Sequence, residues 1–115
     1  MWWRGRRRRF SDLVNRQIEL FAADNEDLLA RIEVAQRVYD RAGAEDSEEL
    51  FGEYMDLVEE AEEELLSLRD HYAEGMAARD RRDYEREFYR AAEKRLPTLV
   101  SRREYHRAID PDSYA

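Results

Sequence analysis

Apolar residues recur in steps of three and four along most of this chain, and that spacing limits what it can fold into. The repeat in the first half consists of Phe10, Val14, Ile18, Phe21, Leu28, Ile32, Ala35, Tyr39 and Ala42. Steps of three to four return to one face of an α-helix, whereas a half-buried strand alternates every second residue. The pattern predicts a helix over residues 11–42, with Ser11 as a candidate N-cap. Asn25 falls on this stripe, where a polar residue often fixes the register between helices.

A second apolar stripe predicts a helix over residues 48–78. Its members are Phe51, Tyr54, Val58, Ala61, Leu65, Leu68, Tyr72 and Gly75. Gly43 is the predicted stop of the first helix, and Asp46 or Ser47 is the predicted cap of the second. Because the intervening loop is short, the two helices are expected to be antiparallel neighbours. A turn near residue 45 then pairs Val14 with Met76, Phe21 with Leu68, Ile32 with Val58, and Tyr39 with Phe51.

The second stripe loses its phase after Gly75, because Arg79 stands where an apolar residue is due. We predict a shorter third helix over residues 80–95, capped by Asp80, ended by Pro97 and packed back on the hairpin. One continuous helix over residues 48–95 is the alternative. A short C-terminal helical piece is expected at residues 100–108. The predicted fold is therefore all-α, a long antiparallel helical hairpin (11–42 and 48–78) with this third helix.

The domain organisation follows from the same pattern. We expect residues 1–9 to form a basic aromatic arm, residues 10–109 a single helical domain, and residues 110–115 a disordered tail. The composition of 43% apolar and 42% charged residues, with 4 Gly and 2 Pro, is typical of solvent-facing helices in a coiled coil or helical bundle.

No segment has the pattern of a targeting signal or a membrane span. Asp12, Asn15, Arg16 and Glu19 interrupt the apolar run that a signal peptide would need after its basic residues. No stretch reaches the roughly 20 apolar residues of a membrane-spanning helix. We therefore expect a cytoplasmic location, either free or peripheral on the inner face of the membrane.

The sequence offers no catalytic, metal or cofactor motif. Glu-rich helices suggest a ferritin-like metal centre, but that centre needs Glu three residues before each ligand His. His71 is preceded at that position by Leu68, and His106 by Arg103. The chain has no cysteine, no glycine-rich phosphate loop and no activated-serine motif. We predict that the protein is not an enzyme and has no cofactor, no metal ion and no small-molecule substrate.

The net charge of −8 is unevenly distributed along the chain. Residues 4–9 contain five arginines, whereas residues 45–64 contain 11 acidic residues and no basic one. In the predicted hairpin the arm lies at the open end, level with the start of the third helix. The candidate membrane or polyanion contacts are Trp2, Trp3, Arg4, Arg6, Arg7, Arg8, Arg9, Arg79, Arg81, Arg82 and Arg86. The candidate acidic interaction face consists of Glu49, Glu53, Asp56, Glu60 and Glu63.

Three kinds of partner fit the basic end. An anionic membrane would gain about 1 kcal/mol per arginine near its surface, with the tryptophans entering the interface. Nucleic acid could use the same arginines, but the acidic body of the protein opposes it. The third candidate is an acidic protein face, including that of a second copy.

A basic row on the third helix, Arg79, Arg82, Arg86, Arg90 and Lys94, is interleaved with acids, which disfavours phosphate binding. A charged end that serves only solubility is the alternative to all three.

Several apolar residues lie outside the two stripes, namely Leu13, Leu20, Leu29, Val34, Val38, Leu50, Met55 and Leu57. A contact between two helices cannot bury a stripe that wide, and the third helix is too short to cover it. We predict a homodimer that uses the turn half of the hairpin. The function that this indicates is a non-enzymatic scaffold or adaptor acting through protein–protein contacts. Peripheral binding to an anionic membrane, or to nucleic acid, through the arm is the alternative.

Overall fold

The computed structural model describes residues 9–100, and this part of the chain is all-α, as predicted. Its helices are α1 (Ser11–Asp24), α2 (Glu26–Asp40), α3 (Ser47–Ala73) and α4 (Ala78–Arg95), followed by a 3₁₀ turn at Pro97–Leu99. The described range contains no strand. The arm up to residue 8, the helical piece expected beyond residue 100 and the tail at 110–115 lie outside the described residues.

The α2/α3 pair is the turn half of the predicted antiparallel hairpin, whereas residues 11–24, predicted to continue along the second helix, pack chiefly against α4. The ring centroids of Tyr39 and Phe51 lie 5.4 Å apart across the turn, which confirms that predicted pairing. Tyr54 extends the same aromatic group, with its centroid 6.4 Å from that of Phe51. Further from the turn, Ile32 and Val58 are buried in one hydrophobic core. Residue numbers at the same level of α2 and α3 therefore add up to about 90.

The helix predicted over residues 11–42 is divided in two at Asn25. The side-chain Nδ2 of Asn25 donates a 3.0 Å hydrogen bond to the carbonyl of Phe21, which also accepts from the backbone N–H of Asn25. A short polar side chain that bonds to nearby backbone competes with helix continuation. At the break the amide of Asn25 therefore bonds to its own segment of chain and not to another helix.

After this break, α1 packs chiefly against α4, and α2 packs against α3. Phe10 meets Tyr84 edge to face at 5.8 Å, and Arg95 Nε donates a 2.8 Å hydrogen bond to Glu19. The third helix therefore folds back as predicted. The break between Ala73 and Ala78 excludes the continuous alternative.

The hydrophobic core is thick at the α1/α4 end of the molecule and thin at the turn end. Its largest fully buried side chains are Tyr84, Phe88, Ile18, Leu65, Leu99 and Val14. In contrast, Ile32 is the one buried residue of α2. The turn half of α2 and α3 is consequently packed on one side only.

The predicted helix ends need correction in detail. No side-chain capping hydrogen bond is made at the start of α1, α3 or α4, whose preceding residues are Phe10, Asp46 and Ala77. Ser11 and Asp80 lie inside the first turns of their helices, and Ser47 Oγ donates a 3.3 Å bond to the carbonyl of Ala44. The first predicted helix ends at Asp40, before its predicted stop at Gly43, and the turn begins at Arg41. Helix α4 ends at Arg95, immediately before Leu96 and Pro97, as predicted.

Candidate interaction surfaces

An apolar groove runs between α2 and α3 in the turn half of the hairpin. Its volume is about 420 Å³, and its lining residues are Ala30, Arg31, Val34, Ala35, Val38, Leu50, Glu53 and Leu57. Val34 is 51% exposed and Val38 is 44% exposed. Helix α4 does not cover the groove, because it packs chiefly against α1.

The structure places the surplus apolar residues of the sequence in two regions. Val34, Val38, Leu50 and Leu57 line the groove, whereas Leu13 and Leu20 are exposed on α1. Leu29 and Met55 are half-buried. Four of the eight thus form one continuous surface.

Charged side chains border the groove on both sides. Arg31 is contributed by α2 and Glu53 by α3, and both are exposed. Arg31 also lines a depression of about 400 Å³ near Asn25, which it shares with Glu60. All five members of the predicted acidic face are exposed on α3, and none of them forms an ion pair within residues 9–100.

A cleft of about 680 Å³ lies at the opposite end of the molecule, between Arg9 and α4. Its lining is entirely charged and consists of Arg9, Arg79, Asp80, Asp83, Arg86, Glu87 and Arg90. Arg9 Nη2 lies 2.6 Å from Asp80 Oδ1 and 3.6 Å from Asp83 Oδ2. The backbone N–H of Phe10 donates a 3.2 Å hydrogen bond to Glu87. The root of the N-terminal arm is therefore fixed on α4.

Glu87 is held in an environment that disfavours its charge. Its partial burial raises its pKa above the usual range, and the neighbouring Asp83 carboxylate raises it further. The hydrogen bond from Phe10 and the guanidinium groups of Arg9 and Arg90 act in the opposite direction. Desolvation is the largest of these effects.

The predicted basic contacts are only partly brought together. Arg9, Arg79 and Arg86 share the charged cleft. Arg81 instead turns toward the α3–α4 loop, where its Nη2 donates a 3.3 Å bond to the carbonyl of Met76, and Arg82 is exposed. The remaining contacts, Trp2, Trp3, Arg4, Arg6, Arg7 and Arg8, lie outside the described residues.

Sequence reasoning missed the carboxylates that hold Arg9. Asp80, Asp83 and Glu87 are spaced by three and four residues, so they share one side of α4. That spacing was visible in the sequence, but Asp80 was interpreted as a helix cap, and Asp83 and Glu87 only as interruptions of a basic row. Their position opposite Arg9 depends on the packing of α1 against α4.

A buried polar pair links α1 to α4. Tyr84 is fully buried, and its hydroxyl donates a 2.7 Å hydrogen bond to Oε1 of Gln17, which is 4% exposed. Burial raises the pKa of Tyr84 to about 12. Gln17 lies on the first stripe between Val14 and Phe21, a signal that sequence reasoning did not use. The pair is enclosed by the core, so it offers no access to a substrate.

His71 belongs to no metal-binding group among residues 9–100. His71 is exposed and packs edge to face on Tyr72, with ring centroids 5.4 Å apart. Among residues 9–100 no group of three side chains could hold a metal ion. In the same range, every helix is too short or too polar to cross a membrane. His106 lies outside the described residues.

Comparison of the chain with protein-family models, with curated proteins and with solved structures finds no match.

Proposed function

We propose that this protein is a non-enzymatic helical scaffold or adaptor in the cytoplasm, homodimeric, acting through protein–protein contacts. The observation that carries the proposal is the apolar groove between α2 and α3, where Val34 and Val38 are about half exposed. Contiguous apolar surface on a small soluble protein is typical of an interaction site.

The energetics favour covering this groove. Complete burial of an aliphatic side chain is worth about 1.5–3 kcal/mol relative to exposure, and four such side chains line the groove. Part of that energy is already realised within the chain, since Leu50 and Leu57 are half-buried. A partner helix would add the remainder and would exclude water from α2.

Light scattering on the purified protein tests the proposal. The expected mass is about twice the 13.9 kDa of the chain. A variant carrying Val34→Glu and Val38→Glu should shift to the single-chain mass, because each substitution buries a charge in the interface. Leu20→Glu is the matched control, since Leu20 is 57% exposed on α1, away from the groove lining.

Two results would contradict the proposal. The first is a clean monomer of the unaltered protein at tens of micromolar. The second is a dimer that the groove variant leaves intact. Circular dichroism of both variants should show the helix content of the unaltered protein, which separates loss of association from loss of folding.

A second candidate function is peripheral binding to an anionic membrane, on the inner face, through the arm. The contacts of Arg9 with Asp80 and Asp83 favour it, because they hold the start of the arm beside Arg79 and Arg86. Arm and helix would then present their arginines on one side of the molecule.

Sedimentation with vesicles containing phosphatidylserine tests this second candidate. Binding should require the anionic lipid, should weaken as salt rises, and should be lost when residues 1–8 are deleted. Binding that survives this deletion would reject the role of the arm. Binding to single-stranded nucleic acid instead of vesicles would assign the same arginines to the other polyanion.

A further inference from the structure

We infer that the groove is filled by a second copy of the chain, related by a two-fold axis parallel to α2 and α3, with Arg31 of each copy against Glu60 of the other. The inference rests on the proposed function and specifies its partner, symmetry and register. Three observations carry it. They are which residues of α2 and α3 lie side by side in the hairpin, the location of the apolar residues, and the opposite charges of Arg31 and Glu60.

The level of the helices is fixed by the contact of Tyr39 with Phe51, whose ring centroids lie 5.4 Å apart. Counting away from the turn, Arg31 on α2 is level with Glu60 on α3, and the two residues line one depression. Val34 is level with Leu57 by the same count. Val38 lies between the levels of Leu50 and Glu53.

The direction of the two-fold axis decides which helices meet. An axis parallel to the helices places α2 of one copy on α3 of the other, at the same level. Val34 then meets Leu57, and Arg31 meets Glu60, so apolar residues face apolar residues and opposite charges face each other. An axis across the helices would stack α3 on α3 and bring the acidic face against itself, which like-charge repulsion opposes.

The resulting arrangement is a four-helix bundle at the turn end. Each helix has antiparallel neighbours, as in up-and-down bundles, and the interface uses the same surface of both copies. Arg31 and Glu60 form no ion pair within the described part of a single chain, so each is free to pair across the interface. Because of the two-fold symmetry, the contact of Val34 with Leu57 and the contact of Arg31 with Glu60 each occur twice in the dimer.

Charge reversal tests the register directly. One chain carries Arg31→Glu and the other carries Glu60→Arg, both at exposed positions that do not affect the core. Each variant alone places like charges together twice, whereas the mixture restores two opposite-charge contacts. Native mass spectrometry of the mixture should show the mixed dimer enriched roughly tenfold over the random 1:2:1 distribution, about 1.4 kcal/mol in total.

Cysteine cross-linking provides a second, independent measurement. The chain contains no cysteine, so single introduced thiols report one contact each. When a chain with Arg31→Cys is mixed with one carrying Glu60→Cys, a short thiol cross-linker should join unlike chains. Each variant alone should be cross-linked at least several-fold less, because two residues 31, or two residues 60, lie on diagonally opposite helices.

The outcomes separate the inference from the proposed function. An unaltered protein that is monomeric overturns both. A dimer whose charge variants mix at random, and whose cysteines cross-link like with like, overturns the inference alone. A mixed dimer with cross-links between residues 31 and 60 supports both.

Discussion

The hydroxyl of Tyr84 on α4 donates a hydrogen bond of 2.7 Å to the side-chain carbonyl of Gln17 on α1, 67 residues earlier in the chain. Both residues are buried, so neither can exchange its partner for water. The bond therefore selects the pairing of α1 with α4, because any other packing would leave two polar groups unpaired in the core.

Removing one partner of this bond should be costly. Tyr84→Phe leaves Oε1 of Gln17 buried without a donor, in addition to Nε2, which has no partner within residues 9–100. We expect the free energy of unfolding to fall by about 1–3 kcal/mol. Urea denaturation followed by circular dichroism measures the change. A loss below a few tenths of a kcal/mol would contradict the importance of the bond.

Removing both partners should cost less than this single substitution. In the double variant Gln17→Leu with Tyr84→Phe, no polar group remains unpaired, and leucine has a similar volume to glutamine. We expect the stability of the double variant to exceed that of Tyr84→Phe, with a coupling energy of about 1 kcal/mol or more. Additive effects in the double-mutant cycle would show that the two side chains do not interact.

At the root of the arm, packing should matter more than charge. Phe10 packs against the hydrophobic core and meets Tyr84 edge to face, whereas the ion pair of Arg9 with Asp80 is about half exposed to solvent. Phe10→Ala should therefore destabilise the protein by about 2 kcal/mol, and Arg9→Ala by less than about 1 kcal/mol. Thermal or urea unfolding of both variants measures the two effects. The reverse order would assign the attachment of the arm to electrostatics.

The pH dependence of stability should contain a contribution from Glu87. Because its pKa is raised in the folded protein, the folded state binds more protons than the unfolded state between the usual pKa of a glutamate and the raised value. This contribution to stability therefore decreases as pH rises through that window. Glu87→Gln removes the contribution and can still accept the hydrogen bond from Phe10.

Urea titrations of Glu87→Gln and the unaltered protein at pH 4 and pH 7 test this prediction. The stability of the variant relative to the unaltered protein should be more favourable at pH 7 than at pH 4. If the stability of Glu87→Gln relative to the unaltered protein is the same at both pH values, or is more favourable at pH 4, the environment described for Glu87 is contradicted. Asp56→Asn, at an exposed position on α3, is the matched control for the loss of one acidic side chain.

A glycine inside α3 offers a stabilising substitution. A Cβ atom at Gly52 would meet nothing within 4 Å, and the backbone there is not in the left-handed region. Gly52→Ala should raise the free energy of unfolding by about 0.5–1 kcal/mol, because alanine loses less conformational freedom in a helix. Denaturation in urea measures the gain. An unchanged or lowered stability would show that Gly52 has a role beyond helix formation.

The periodicity of the sequence was sufficient to predict the α2/α3 hairpin. Tyr39 and Phe51 pair as expected because a short loop leaves two apolar stripes little choice of register. Pro97 likewise determines the end of α4 by excluding helical geometry at Leu96. Both features depend on local chemistry, which a single sequence shows directly.

The break at Asn25 and the pairing of α1 with α4 could not be predicted in the same way. An apolar stripe shows that one face of a helix is buried, but it does not show which helix covers that face. The Asn25 side chain competes for backbone hydrogen bonds only where tertiary packing bends the helix. Here the bend comes from the packing of α1 on α4. The position of Arg9 opposite Asp80 and Asp83 follows from this packing and was missed with it.

The interruption at Asn25 also sets how the molecule can move. Asn25 separates α1 from α2, so fraying that starts at the turn need not travel into the aromatic half of the core. Amide hydrogen exchange should then fall into two classes, slow at Tyr84 and Phe88 and faster around Val34 and Val38. Any conformational ordering that accompanies binding would be confined to the turn half, while the other half remains a preformed support.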